Sequence, residues 1–170
     1  MALKLKPISL DAIDAALSKA ELYRTLHEPQ EAESICHDVL AVQPEHQLAR
    51  RLLGLAITDQ FTGAPADRYS EAENVFQQLT SPYERLYYAG LVQERRAKAQ
   101  LRAGRPPYTL RVLLEEAMRC YEEAEQIRPL GNDEATLRWN RCVRLIEAYE
   151  HGDWVREVGH FEMGDGAPSR

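Results

Sequence analysis

No run of about 20 consecutive apolar residues occurs in this 170-residue chain, so no segment is expected to span a membrane. Valine and isoleucine are sparse and never alternate with polar residues over a strand length, so no strand is predicted. Cysteine is scarce too. Cys36, Cys120 and Cys142 are odd in number and too widely spaced for a disulfide framework. They include no CxxC pair, which argues against a zinc site. All three are expected as reduced thiols on buried helix faces, in a reducing compartment. The opening residues, MALKLKPISLDAIDAAL, lack the apolar stretch and cleavage signal of a secretory leader. The expected location is therefore the cytoplasm.

Basic residues are outnumbered, 21 Lys and Arg against 27 Asp and Glu, for a formal charge of −6. General binding to nucleic-acid backbone needs clustered Lys and Arg, so nucleic acid is not an expected partner. Catalytic signatures are missing as well. No HExxH, GxSxG, phosphate loop or dinucleotide fingerprint occurs. The histidines His27, His37, His46, His151 and His160 are scattered, without partners at metal-ligand spacing. The chain is not expected to be an enzyme, and no metal, cofactor or catalytic residue is predicted.

What the chain does have is 44% apolar residues, enough for a real core in one domain. Between its prolines and glycines stand Ala, Leu, Glu, Gln and Arg, all strong helix formers. Seven helices are predicted, over residues 9–26, 29–42, 45–58, 69–79, 82–103, 108–128 and 133–151. Ser9 and Ser81 are expected N-caps, Pro29 occupies a tolerated first-turn position, and Gly104 ends the fifth helix. The third helix, HQLARRLLGLAIT, is apolar almost all round and must be covered on several sides. In the seventh, Ala135, Trp139, Cys142, Val143, Ile146 and Tyr149 form an apolar stripe, with Arg138, Arg141 and Arg144 expected on the opposite face.

A pattern recurs along these helices. Ala32, Cys36 and Val39 precede Pro44. Ala72, Phe76 and Leu79 precede Pro82. Ala117, Tyr121 and Ala124 precede Pro129. Each trio has the same spacing of one turn and then two, a small residue first and a larger one after it. A small side chain lets the paired helix approach closely, and the larger one fills the gap beside it. Ala20 and Tyr23, Gly54 and Ile57, and Gly90 stand at matching places on the preceding helices. On these residues, and on the segments EAESICHDVLAVQPEH and AEQIRPLGNDEA, the chain resembles the tetratricopeptide repeat family.

That resemblance implies an all-α, right-handed superhelical stack of about three helix pairs with a C-terminal capping helix. It implies a single domain over 1–152, with repeats near 10–44, 45–82 and 83–129, a capping helix over 133–151 and a frayed tail over 153–170. The second repeat carries a long loop, QFTGAPADR. The third carries two overlong helices expected to project as a hairpin. Lys19 and Arg50 stand where the family usually has large apolar residues.

The resemblance also implies a function. In the family, the first helices of the pairs line a concave groove that holds a partner peptide or helix. Carried over by position, the groove residues are Leu17, Glu21, Arg24, Leu48, Arg51, Leu55, Glu84, Tyr87, Leu91 and Glu94. Aromatic and Arg side chains are frequent binding anchors. The asparagine and lysine clamp with which one branch holds chaperone carboxy-termini is absent, so no binding of that kind is expected. Arg138, Arg141 and Arg144 form a second, basic candidate face, balanced by acids such as Glu134 and Glu147. The expected role is a non-enzymatic adaptor for a protein or peptide partner. The alternatives are a small cytoplasmic chaperone for a secreted or assembled protein, and a structural subunit or homodimer built on the hairpin 83–128.

Overall fold

Residues 3–150 are described by the computed structural model. The tail expected over 153–170 lies outside them. A single 3-10 turn at Leu10–Ala12 leads into seven α-helices: α1 (Ile13–Thr25), α2 (Pro29–Val42), α3 (Gln47–Asp59), α4 (Tyr69–Gln77), α5 (Pro82–Arg102), α6 (Pro107–Gln126) and α7 (Glu134–Glu150). The fold is all-helical, with no strand among the described residues.

The ends of these helices follow from local chemistry. Proline opens α2, α5 and α6, because its fixed φ suits a first turn whose N–H has no helical partner anyway. Ser9 precedes the 3-10 turn but makes no side-chain cap bond. α3 starts two residues later than predicted, where the His46 side chain accepts a hydrogen bond from the Ala49 N–H at 3.3 Å. α5 closes on Gly104 at φ +79°, with Gly104 N–H donating to Leu101 O and Arg105 N–H to Gln100 O, both at 3.0 Å. This is the paired-bond terminus that favours a left-handed residue, and glycine adopts that conformation freely.

α1 ends in the same way without a glycine. His27 N–H donates to Arg24 O at 3.1 Å and Glu28 N–H to Tyr23 O at 2.9 Å, with His27 at φ +60°. A side chain with a Cβ is strained there. His27→Gly should therefore raise stability by about 0.5–1 kcal/mol, the relief exceeding the added freedom of the unfolded chain. Thermal and urea unfolding would check it; an unchanged or lower midpoint would mean that the histidine side chain is worth more than the strain.

The described residues form two compact units. The first comprises the chain up to Gln60 together with Arg68–Ser81; the second comprises Phe61–Asp67 together with the chain from Pro82 onward. In the first unit, α1 packs on α2 and α3, α2 on α3, and α3 on α4. α3 is enclosed as its apolar circumference requires: Ala49, Leu52, Leu53, Gly54, Ala56, Ile57 and Thr58 are all buried. In the second unit, α6 packs between α5 and α7.

All nine residues of the three recurring trios are buried to within 1% of full enclosure. Their small partners work by contact. A Cβ built on Gly54 would meet the Phe76 ring at 2.4 Å, and one on Gly90 would meet the Tyr121 ring at 2.8 Å. In each unit, then, a helix glycine receives an aromatic ring from the following helix. Arg50, at a place expected to be apolar, donates to Gln78 O at 2.9 Å and so satisfies a carbonyl at the end of α4. Lys19 lies over the Tyr23 ring, 5.9 Å from its centroid.

The long loop is also organised. The Asp67 carboxylate accepts hydrogen bonds from Thr62 N–H, Gly63 N–H and the Thr62 hydroxyl, at 2.7 to 3.0 Å. Gly63, at φ +84°, lies so close to α5 that a Cβ there would be 2.6 Å from Ala99 O. This segment therefore covers the C-terminal part of α5. Tyr108 and Val112, on the first turns of α6, remain largely exposed.

Candidate functional site

The face predicted from α1 and α3 lies in the first unit. Leu17 is buried in its core, while Glu21 is exposed and Arg24, Leu48, Arg51 and Leu55 are half-buried. Spacings of three and four residues put Leu48, Arg51 and Leu55 on one side of α3. Arg24 reaches across from α1 and donates to Asp59, at the end of α3, at 2.6 Å. The result is an apolar-and-cationic strip, its helices tied by an ion pair.

A second ion-pair set holds the unit together. Arg68 forks onto Glu33 of α2 with two bonds of 2.7 Å, and the Gln60 amide donates to the same carboxylate at 2.6 Å. His37 Nε2 stands 3.6 Å from it. The Arg68 bonds, opposed by partial burial and aided by Gln60, hold the Glu33 carboxyl down at about 2. Gln60 follows α3 and Arg68 precedes α4, so Glu33 clamps both ends of the loop between them.

The residues predicted on α5 fall in the second unit, and most of them are not at a surface. Glu84 is half-buried, Tyr87 is 9% exposed, Leu91 1% and Glu94 0%. Tyr87 stacks on Tyr83 with ring centres 5.9 Å apart, meets Tyr88 edge-on at 5.0 Å and touches Tyr121 at 5.8 Å. The tyrosines of α5 are core, with Tyr88 at its half-exposed margin.

Glu94 is a carboxylate wholly removed from water. The Tyr121 hydroxyl of α6 donates to its Oε2 at 2.7 Å. Its Oε1 accepts from Lys98, one turn along α5, and from Arg138 of α7 at 3.2 Å. Burial by itself would raise the Glu94 carboxyl, but Lys98, Arg138 and the Tyr121 hydroxyl outweigh it and hold the group below the ordinary value. The neighbouring Tyr121 hydroxyl is pushed well up, by burial and then by the Glu94 charge. One carboxylate thus joins all three helices of the unit.

No protein-family model, curated protein or solved structure matches the chain.

The Glu94 cluster corrects the basic face expected on α7. Arg138 does not stand opposite the apolar stripe; it turns inward to Glu94, drawn by the buried charge. Arg141 is half-buried, and only Arg144 is exposed. Trp139, expected within the stripe, is 36% exposed.

In the sequence Glu94 groups with the groove residues, Lys98 stands in the basic cluster Arg95, Arg96, Lys98 and Arg102, and nothing singles out Glu33. A signal for Glu94 is present all the same. It shares its helix face with Leu91 and Tyr87, and a carboxylate flanked by core residues at those spacings points inward.

The thiols offer no ready nucleophile. Cys36, Cys120 and Cys142 are all buried. Burial pushes Cys36 and Cys142 up to about 12, where the thiolate is scarce at neutral pH. Among the described residues no cluster of His, Cys, Asp and Glu could hold a metal ion, and no helix is long and apolar enough to cross a membrane.

Proposed function

We propose that the chain is a non-enzymatic protein-interaction module of tetratricopeptide-like helix pairs, which holds a peptide or helix of a partner protein. The observation that carries this reading is the repeated interlock, Phe76 into Gly54 and Tyr121 into Gly90. The same small-to-aromatic fit recurs at matching points of successive pairs, as a repeat array requires. Such arrays bind partners with the first helix of each pair. Here that points to α1 and α3, where Glu21, Arg24, Leu48, Arg51 and Leu55 retain surface. The two leucines supply apolar contact. Arg51 supplies a guanidinium suited to a carboxylate-bearing segment. Leu17 is buried in the core behind this surface, while Tyr87, Leu91 and Glu94 are buried in the second unit.

The test is affinity capture from source-cell lysate, comparing the natural chain with a Leu48→Glu, Leu55→Glu variant. Both leucines are half-buried, so melting curves must first show the variant folded. A partner held by the natural chain and weakened at least about tenfold by the variant is expected, since such anchors carry about 1 kcal/mol or more each. Equal capture by both would overturn the assignment of this face.

A further inference from the structure

The chain leading into the first helix carries an unsatisfied pattern. From Leu3 to Ser9 it forms no helix or strand, and Ser9 is extended at φ −78°, ψ 152°. Leu3 is 100% exposed and Leu5 94%. They alternate with Lys4 and Lys6, both exposed. In an extended chain this alternation puts the leucines on one side and the lysines on the other. Neither lysine has an ion-pair partner among the described residues.

Immediately beyond this arm lies a receptor of complementary chemistry. An open cavity of about 650 Å³ is lined by Leu10, Asp11, Ile13, Asp14, Gln43 and His46. Its size suits a short peptide segment. Its apolar part is chiefly Leu10, 67% exposed, with the edge of the buried Ile13, 5% exposed, beneath it. Asp11 and Asp14 give it two carboxylates, also without ion-pair partners among the described residues. Gln43 supplies an amide. The Nδ1 of His46 accepts from Ala49, which leaves the Nε2–H of a neutral ring to donate to a peptide carbonyl.

We propose that the arm of residues 3–6 inserts into this cavity on a second copy of the chain, forming an arm-exchanged dimer. Leu3 and Leu5 meet Leu10 and Ile13, while Lys4 and Lys6 pair with Asp11 and Asp14. The occupant is a second copy because both halves of the match stand on this chain. No turn or bend lies between Leu3 and Ser9 that would fold the arm back on itself, and Pro7 fixes φ just before the first helical turn. Arm and cavity adjoin at Leu10, so two copies facing across a two-fold axis satisfy both contacts at once.

The test is sedimentation equilibrium of the full chain over a range of concentrations. A reversible dimer is expected, weakened by salt because its pairs are exposed. Lys4→Glu with Lys6→Glu, or Asp11→Lys with Asp14→Lys, should each weaken it at least about tenfold, through like charges in the cavity. An equimolar mixture of the two variants should dimerise again, because each arm then opposes a cavity of the other sign. Leu3→Asp with Leu5→Asp should also dissociate it. All the substituted positions are exposed, and circular dichroism confirms the fold of each variant. The proposal is overturned if the natural chain is monomeric throughout, if the leucine variant dimerises equally, or if the mixture stays monomeric. A monomer whose melting point falls with Leu3→Asp, Leu5→Asp would place the arm in its own cavity, which also overturns the exchange.

Discussion

Glu94→Ala should cost about 3–5 kcal/mol of folding stability, the range for breaking a buried pair by removing one partner. The magnitude follows from what is left behind. Lys98 and Arg138 would keep their charges beside an apolar void, and the Tyr121 hydroxyl would lose its acceptor. Chemical denaturation followed by the tyrosine and tryptophan signals would measure it. Glu94→Gln should cost less, because the amide oxygen can still accept from Tyr121 while the charge pairing is lost. Replacing Glu94, Lys98 and Arg138 together by methionine should recover much of the loss, since buried ion sets are often no better than packed apolar side chains. A Glu94→Ala cost below about 1 kcal/mol would mean that water or side-chain rearrangement relieves the stranded cations.

The same site sets a pH dependence with a definite sign. The folded-state carboxyls of Glu94 and Glu33 both lie below the ordinary value of 4.5, Glu33 at about 2. Their contributions are therefore complete above pH 4.5 and lost as the pH falls towards the lower folded-state values. In Glu94→Ala the deficit relative to the natural chain should shrink over that acid range. A deficit independent of pH would mean that packing, rather than charge, accounts for it.

Gly54→Ala is the second large effect, and two terms of opposite sign compete in it. In a helix interior alanine is favoured over glycine by about 1 kcal/mol. Here the added methyl would stand 2.4 and 2.5 Å from two carbons of the Phe76 ring. Phe76 is fully enclosed and has no free side to turn to. Overpacking of this kind costs about 1–3 kcal/mol or more, so a net loss is expected despite the better helix former. Gly54→Leu, which cannot be accommodated at all, should unfold the first unit. In a Phe76→Leu background the alanine should cost at least about 1 kcal/mol less, the mark of direct contact in a double-mutant cycle. Additive effects would show that the ring and the glycine do not share the strain.

The two substitutions probe different links between sequence and fold. The Gly54–Phe76 interlock is legible in the spacing, because close helix packing is what sets small and large residues at recurring helical intervals. The Glu94 cluster is not legible in the same way. A glutamate four residues before a lysine is the ordinary pattern of a solvated helix face. Only its third partner, Arg138, 44 residues further on, shows that the pair is interior. The sequence pattern accordingly points to a groove for Glu94 and Tyr87 and to an outer face for Arg138. Packing buries Glu94 and Tyr87 instead and brings the half-buried Arg138 onto Glu94.

Local propensity and a helical period that repeats within a few turns are both written along the chain. They suffice for an all-helical fold, for α2 bounded at Pro29 and Val42, and for the recurring trios as core. Which charges are buried, which tyrosines are core and where the long loop lies came from the packing of the helices. Burial of a charge depends on what the other helices bring to it. Gly63 against Ala99, Arg68 on Glu33 and Arg138 on Glu94 are each contacts between residues more than thirty positions apart. No local pattern encodes such a meeting; it exists once the helices have packed.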